Sequence, residues 1–181
     1  MLAAGCGGDD GAAPTAATTG SPTTAATRSQ ANLTATGSIP DVDGYERSVA
    51  EKVVAPAGLD IATSLFRKKG TTDVAARLEV RVYKDEATAK SDMAAQALGW
   101  KSPPPGLFGS NITNNDSAPL MAFAEATAYR AQAADAQGNR VYTDVYRVGR
   151  VIVVQHVLSK SDPEATVLRK AVSDAVQGKV G

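Results

Sequence analysis

Strict alternation of apolar and polar residues marks a β-strand in the first half of the chain. Between residues 76 and 82, every second residue is apolar. The residues between them are charged: Arg77, Glu79 and Arg81. A period of two predicts a strand with one face on a core and one in water, as in antiparallel sheets. Residues 59–68 alternate more weakly and are joined to this strand by a turn at 69–72, so the two segments are predicted to form a hairpin.

Three segments in the second half of the chain also have strand patterns. Residues 141–147 alternate, and residues 151–158 are almost continuously apolar, which predicts a central strand covered on both faces. Residues 120–136 are rich in alanine and fit either a strand or a helix that starts at Pro119. We favour the strand, because it completes an antiparallel meander with the two strands that follow.

Helical spacing, with apolar residues three or four positions apart, occurs in three other segments. The predicted helices cover residues 45–54, 86–97 and 163–177. Asp85 and Asp162 precede the second and third helices, where an aspartate can accept hydrogen bonds from the free N–H groups of the first turn. Together the elements predict a single α+β domain over residues 39–181. It has a mainly antiparallel sheet of about five strands, with helices packed on one face.

Composition agrees with one folded domain and narrows the classes of partner. The chain has 181 residues, of which 43% are hydrophobic, and this is enough for one core. Its 19 basic and 19 acidic residues balance, so net charge provides no attraction to nucleic acid, and no nucleic-acid partner is expected. No run of about 18 apolar residues is present, so no transmembrane helix is predicted.

The first 38 residues differ in composition from the rest of the chain. Residues 7–37 are almost all Gly, Ala, Thr, Ser and Pro, and Leu33 is their single large apolar residue. Such a segment cannot bury enough apolar surface to offset the entropy lost on ordering, so it is predicted to be a disordered tether. With about 30 residues, its root-mean-square length is expected to be about 30 Å.

Cys6 is the only cysteine of the chain, which excludes an intramolecular disulfide and a cysteine-based zinc site. It follows the run LAAG at residues 2–5 and precedes a polar, glycine-rich stretch. This arrangement resembles the cleavage site of bacterial lipoproteins, in which the cysteine is acylated and becomes the first residue of the mature protein. The resemblance implies that residues 1–5 are the remainder of a signal peptide and that residues 6–38 are the lipidated cysteine and its linker.

The same resemblance implies a location. Bacterial lipoproteins of this kind are held by a diacylglycerol and a fatty acid such as palmitate, so the chain is expected at the extracytoplasmic face of the cell membrane. The five residues before Cys6 are fewer than the roughly 7–15 apolar residues of a signal-peptide core, so the signal peptide is expected to begin upstream.

The folded part resembles the small exported domains of actinobacterial lipoproteins, including those with a PsbP-like or kinase-sensor-like α+β fold. The resemblance rests on residues 141–154 (VYTDVYRVGRVIVV) and on the alanine-rich helix near the C-terminus. It implies an exported binding domain and supplies no catalytic residues to carry over.

The sequence offers little to support catalysis. His156 is the single histidine, and its strand pattern places it on the apolar face of Ile152 and Val154. A lone histidine in this position is most often a core residue with one satisfied hydrogen bond. No Gly-x-Ser-x-Gly elbow and no His-x-x-x-His pair accompanies it. We therefore predict no catalytic residue, no metal site and no cofactor.

Charged residues on the predicted strands have a simpler interpretation. Glu79 and Asp144 are interpreted as members of solvated cross-strand ion pairs. The nearby arginines are interpreted as the wet face of the sheet or, alternatively, as a basic patch for an anionic ligand. They are Arg77, Arg81, Arg147 and Arg150.

The longest stretch without periodicity, residues 99–119, is the best candidate for a binding surface. Its three consecutive prolines, residues 103–105, favour an extended backbone. Trp100, Leu107 and Phe108 flank the prolines and can present apolar surface to an apolar small molecule or an envelope protein. The alternative is that these side chains fold back and cover the sheet.

The sequence therefore predicts a lipid-anchored, exported binding or accessory domain without enzymatic activity. Two alternatives stay open at this point. One is an envelope-associated protein-interaction or signalling module that acts through the 100–119 loop. The other is a cell-envelope hydrolase that uses His156 as its base.

Overall fold

The computed structural model describes residues 32–108, 114–116, 123 and 125–181. Cys6 and the rest of residues 1–31 lie outside the described residues, so the lipidation site and the signal-peptide remainder stay predictions. Much of the predicted binding loop after Phe108 also lies outside them.

One antiparallel sheet forms the centre of the described domain. Its strands are β1 (Tyr45–Arg47), β2 (Glu51–Val53), β3 (Leu59–Lys68), β4 (Val74–Tyr83), β5 (Asn114–Asp116), β6 (Ala126–Ala131), β7 (Arg140–Val148) and β8 (Val151–Ser159). Their order is β1-β3-β4-β8-β7-β6-β5, and β2 pairs with β3 beside β1. Every pairing is antiparallel. The predicted α+β class, the hairpin and the strand within the alanine-rich segment are confirmed.

The helices of the described chain lie on both faces of the sheet rather than on one. They are α1 (Ala35–Ser38), α2 (Glu86–Gln96) and α3 (Asp162–Val180), and a 3-10 turn (Gly99–Lys101) follows α2. α1 and α3 pack on the face that carries Val82, here called the first face. α2 packs on the face that carries Tyr83, here called the second face. Successive strand residues point to opposite sides, so α2 and α3 have the sheet between them.

No helix within the described ranges combines the length and the apolar character needed to cross a bilayer.

The first face contains the main apolar core. The apolar residues of the alternating run 76–82 are buried there, and Val172 of α3 packs on them. The buried stripe of α3 is not purely apolar. Val167 is 71% exposed, whereas Arg169 and Ser173 are buried. Polar residues therefore enter the core between α3 and the sheet.

A buried ion pair joins α3 to the sheet. Arg169 Nε donates to the carboxylate of Asp144 on β7 at 2.7 Å, and both side chains are 3% exposed. Gln155 on β8 donates to the same carboxylate at 2.7 Å. The guanidinium of Arg169 also lies 5.7 Å from the ring centre of Tyr142. The prediction of a solvated ion pair for Asp144 is wrong, because its partner comes from a helix 25 residues later and covers it.

A row of charged residues on β4 lies on the second face. Glu79 accepts hydrogen bonds from Arg77 Nη2 and Arg81 Nε, each at 2.6 Å. The three side chains are between 12% and 17% exposed, so the prediction of a wet face is wrong here. Burial alone raises the pKa of Glu79, but the two arginines outweigh it and hold this pKa below its usual value. Arg147 and Arg150 are likewise engaged in hydrogen bonds.

Residues 45–54 form strands β1 and β2, so the helix predicted there is wrong. They run along the free edge of β3, where the Ser48 N–H donates to the Leu65 carbonyl at 2.8 Å. The edge of β3 supplies hydrogen-bond partners for the backbone of this segment. In a helix, those partners would come from the segment's own backbone. The helical spacing does not mark a buried face, since Val49 is 84% exposed and Val54 is 100% exposed.

Of the two predicted helix caps, one is confirmed and one is wrong. The Asp85 carboxylate accepts a hydrogen bond from the Thr88 N–H at 2.7 Å, which confirms it as the cap of α2. The cap of α3 is Ser161, whose hydroxyl accepts from the N–H three residues later at 3.4 Å. The prediction of Asp162 as this cap is wrong, because its carboxylate instead accepts a hydrogen bond from the Tyr142 hydroxyl.

The folded domain begins before the predicted boundary at residue 39. Ala35 and Ser38 of α1 are completely buried, and Leu33 packs against the same core. The Ala35 N–H donates to the Asp60 carboxylate on β3 at 2.8 Å. The first residues of the domain thus belong to the segment that the sequence predicts to be the linker.

We predict that breaking the buried ion pair costs far more than breaking a surface pair on the same helix. Arg169→Met leaves the Asp144 charge buried without a counter-charge and should lower the free energy of unfolding by about 3–5 kcal/mol. The double variant with Asp144→Asn should lose less, because no unpaired charge remains. Lys170→Met, which removes an exposed pair with Asp174, should cost under about 0.5 kcal/mol. Urea unfolding measures all three, and equal losses for the two single variants would contradict the prediction.

Candidate ligand-binding groove

An open groove of about 840 Å³ lies on the second face, between α2 and β3. α2 packs over β4, β8 and β7, and β3 lies beside it, with Leu59 packed against the cluster beneath the helix. Leu59 and Ile61 line the apolar floor of the groove, where Ile61 is 6% exposed. The volume is within the range of about 300–1,000 Å³ that is common for small-molecule sites.

The walls of the groove follow from local features of the sequence. Ala87 and Ala95 line the α2 side, and their small side chains leave space above the sheet. The opposite wall is the loop between β2 and β3, which turns at Gly58 with a φ of +84°. A side chain at this φ is strained, so glycine suits the turn. The Lys84 N–H donates to the Gly58 carbonyl at 2.8 Å and fixes this wall to the end of β4.

Polar groups also line the groove. The Tyr83 hydroxyl donates to one carboxylate oxygen of Asp92, and the side-chain amide of Gln96 donates to the other. Burial raises the pKa of Tyr83, and the bond to Asp92 raises it further, so the phenol stays a neutral donor. Among the described residues, Asp92 has no ion-pair partner, whereas Arg81 shares the Glu79 carboxylate with Arg77. The arrangement can hold a ligand through apolar and hydrogen-bonding contacts.

The structure does not bring the three predicted binding residues together. Trp100 lies half-buried in the 3-10 turn, and its ring stacks on the guanidinium of Arg81, 4.5 Å from the ring centre. Phe108 is 6% exposed and packs with Leu107 in a separate cluster around Val141. These contacts fit the alternative in which the loop covers the sheet. A ligand-binding role for the three residues stays a prediction.

His156 lies inside the second-face core and is 2% exposed. Its Nδ1 lies 2.9 Å from the hydroxyl of Thr143, which gives its own hydrogen to the Lys101 carbonyl at 2.9 Å. The ring therefore carries its proton on Nδ1 in this contact. Burial, with a smaller contribution from Arg77, lowers the pKa of His156 to about 3. The prediction of a core histidine with one satisfied hydrogen bond is confirmed.

The described residues contain no cluster of three or more His, Cys, Asp or Glu side chains that is suited to a metal ion. Sequence reasoning missed the groove, although two signals were present. The apolar residues Leu59 and Ile61 share one strand face, and the stripe of α2 is made of small residues. The missing information was the position of α2 across the sheet, which places β3 beside the helix rather than beneath it.

We predict that Trp100→Ala destabilises the domain, because the ring packs on Arg81 and on the apolar cluster beneath α2. The free energy of unfolding should fall by about 2 kcal/mol, and the melting temperature by about 4–8 °C. Leu98→Ala is the control, since Leu98 is 66% exposed in the same segment and its loss should cost under about 0.5 kcal/mol. If Trp100→Ala left the melting temperature unchanged, the ring would be free for a binding role instead.

No family model and no curated protein matches the sequence. Among solved structures, the extracellular domain of PknH from Mycobacterium tuberculosis has a similar fold, with a TM-score of 0.53 and 9% sequence identity. The match covers 75% of this chain and 86% of that chain. At this identity the likeness shows the fold alone. The chain thus shares its architecture with an extracellular domain of an actinobacterium.

Proposed function

We propose that this chain is an exported, lipid-anchored domain that binds an apolar small molecule in the groove between α2 and β3. The single observation that carries the proposal is the groove itself. It is lined by the apolar residues Leu59 and Ile61 and by the hydrogen-bonded pair Tyr83 and Asp92, in a volume suited to a small ligand.

The chemistry of the groove narrows the class of ligand. The floor and the alanines of α2 favour an apolar body. The Asp92 carboxylate is an acceptor without an ion-pair partner among the described residues, so the ligand should carry a hydrogen-bond donor such as a hydroxyl or an amine. Arg81 shares the Glu79 carboxylate with Arg77, so one negative charge faces two positive ones in this row. An apolar molecule with one donor group can bond to Asp92, whereas the carboxylate repels an anion.

Two observations support the remaining parts of the proposal. The pattern around Cys6 resembles a lipoprotein cleavage site, and the fold is similar to that of an extracellular domain. A binding role without catalysis is supported by the burial of His156 and Thr143, which no substrate can reach without opening the core. The hydrolase alternative therefore gains no support from this pair. An interaction role for the 100–119 loop also stays a prediction.

Filling the groove should weaken ligand binding without unfolding the domain. Ala95→Trp adds a large side chain to the α2 wall, whereas Ala94→Trp places the same side chain on an exposed position of the helix outside the groove. N-phenyl-1-naphthylamine, a neutral apolar dye, serves as the probe, and its fluorescence titration measures binding. We expect the Ala95 variant to bind at least about tenfold more weakly, which corresponds to about 1.4 kcal/mol.

The Ala94 variant should bind the dye like the parent, and both variants should keep the parent circular dichroism spectrum. Equal binding by all three proteins would show that the groove is not the site.

Lipid anchoring is tested separately by metabolic labelling with an alkyne fatty acid in an actinobacterial host. The full-length protein with a complete signal peptide should take up the label and partition into detergent, and Cys6→Ser should lose both properties. An unlabelled parent protein would overturn the anchoring part of the proposal and leave groove binding unaffected.

A further inference from the structure

The end of β2 and the loop that follows it expose a run of five apolar residues. The apolar tip, as we call it, comprises Val53, Val54, Ala55, Pro56 and Ala57. Val54 is 100% exposed and Val53 is 39% exposed, and only Ala55 is partly covered. Consecutive exposed apolar residues are unfavourable in water and usually mark a functional surface.

The tip is held in place by the backbone and not by its side chains. The Leu59 N–H donates to the Pro56 carbonyl at 3.2 Å, and the Lys84 N–H donates to the Gly58 carbonyl at 2.8 Å. Strand β2 anchors the other side through its register with β3. The valine side chains are therefore not needed to close the turn, and the fold presents them to solvent on a fixed loop.

The tip lies at the end of the sheet where the N-terminal segment enters the domain. Leu33 lines a small cavity together with Gly58 and Lys84, and its carbonyl accepts a hydrogen bond from Arg150 at 3.5 Å. The opposite end of the sheet is about 30 Å away, the length of strands of nine or ten residues. The reach predicted for the tether is about the same, which favours an orientation with this end towards the anchor.

Two lysines flank the tip. Lys52 and Lys84 have side chains that are 74% and 67% exposed, so their ammonium groups can stay in water while their stems lie along an apolar surface. Each has an acidic neighbour, Asp60 at 3.2 Å and Asp85 at 3.9 Å. The local charge is balanced, so the surface suits apolar insertion more than electrostatic attraction. This arrangement fits the interface of a lipid bilayer.

We propose that the apolar tip inserts into the interface of the membrane to which the chain is anchored. The inference rests on the proposed lipid anchoring at Cys6. A short apolar loop binds a membrane weakly by itself, but an anchor on the same chain makes the contact intramolecular and raises its effective concentration. Pro56 and Ala57 also line the groove, so insertion places the groove next to the lipid headgroups.

The test couples the full-length chain through the Cys6 thiol to a maleimide phosphatidylethanolamine in phosphatidylcholine nanodiscs. Chemical coupling replaces biological acylation, so the result does not depend on whether cells acylate Cys6. A phosphatidylcholine spin-labelled near the headgroup then broadens the backbone amide signals of residues close to the membrane. We expect Val54 and Ala57 to lose most of their signal, while Thr71 and Lys160 at the other end keep theirs.

A pair of variants tests whether Val54 enters the membrane. Val54→Ser should abolish the selective broadening, and Val167→Ser, at an exposed valine on α3, should leave it unchanged. Amide spectra away from the tip report that both variants are folded. Broadening that is uniform, centred on the far end, or retained in Val54→Ser would overturn the proposal. Lipid-free self-association that Val54→Ser removes would also overturn it and assign the tip to contact with a second copy.

Discussion

The buried pairing of Asp144 with Arg169 is the constraint on which much of this fold depends. A charge inside the core requires a counter-charge and hydrogen bonds, and only one position of α3 on the sheet supplies both. This fixes the rotation of α3, places Val172 over the sheet, and turns Val167 out to solvent. Apolar contacts alone allow a helix to slide or rotate at small cost, whereas an ion pair with defined hydrogen bonds does not.

The first face is covered by α3 over β7 and β8 and by α1 over β3 and β4, whereas the second face is covered by α2 and the segment that follows it. α2 has 11 residues against 19 in α3, and the 3-10 turn and the segment up to Phe108 extend its cover. This cover is sufficient for the middle of the sheet, where it shields His156 and the charged row around Glu79. β3 lies at the edge of this cover, where Leu59 packs on the cluster beneath α2. The groove opens there, between the helix and the loop that precedes β3.

Local patterns were sufficient to predict the elements whose residues alternate or repeat strongly, such as β4, β8 and α2. They were insufficient where a distant partner decides the structure. Residues 45–54 have helical spacing, yet they form strands because they pair with the free edge of β3. Asp144 has the local pattern of a surface residue, and only α3, much later in the chain, covers it. The position of the groove depends in the same way on how α2 crosses the sheet, and no local pattern encodes this.

The opposite placement of α2 and α3 also decides the symmetry of the domain. The hairpins β3–β4 and β7–β8 are related by an approximate two-fold axis perpendicular to the sheet, since β4 and β8 pair antiparallel at its centre. Such a rotation keeps each face on its own side. It would superpose α2 on α3 only if both lay on the same face, and they do not. The strands are therefore pseudosymmetric, whereas the helices break that symmetry. The same rotation moves the position of the groove from β3 to β7 on the second face. α3 lies on the first face, so it does not border that position.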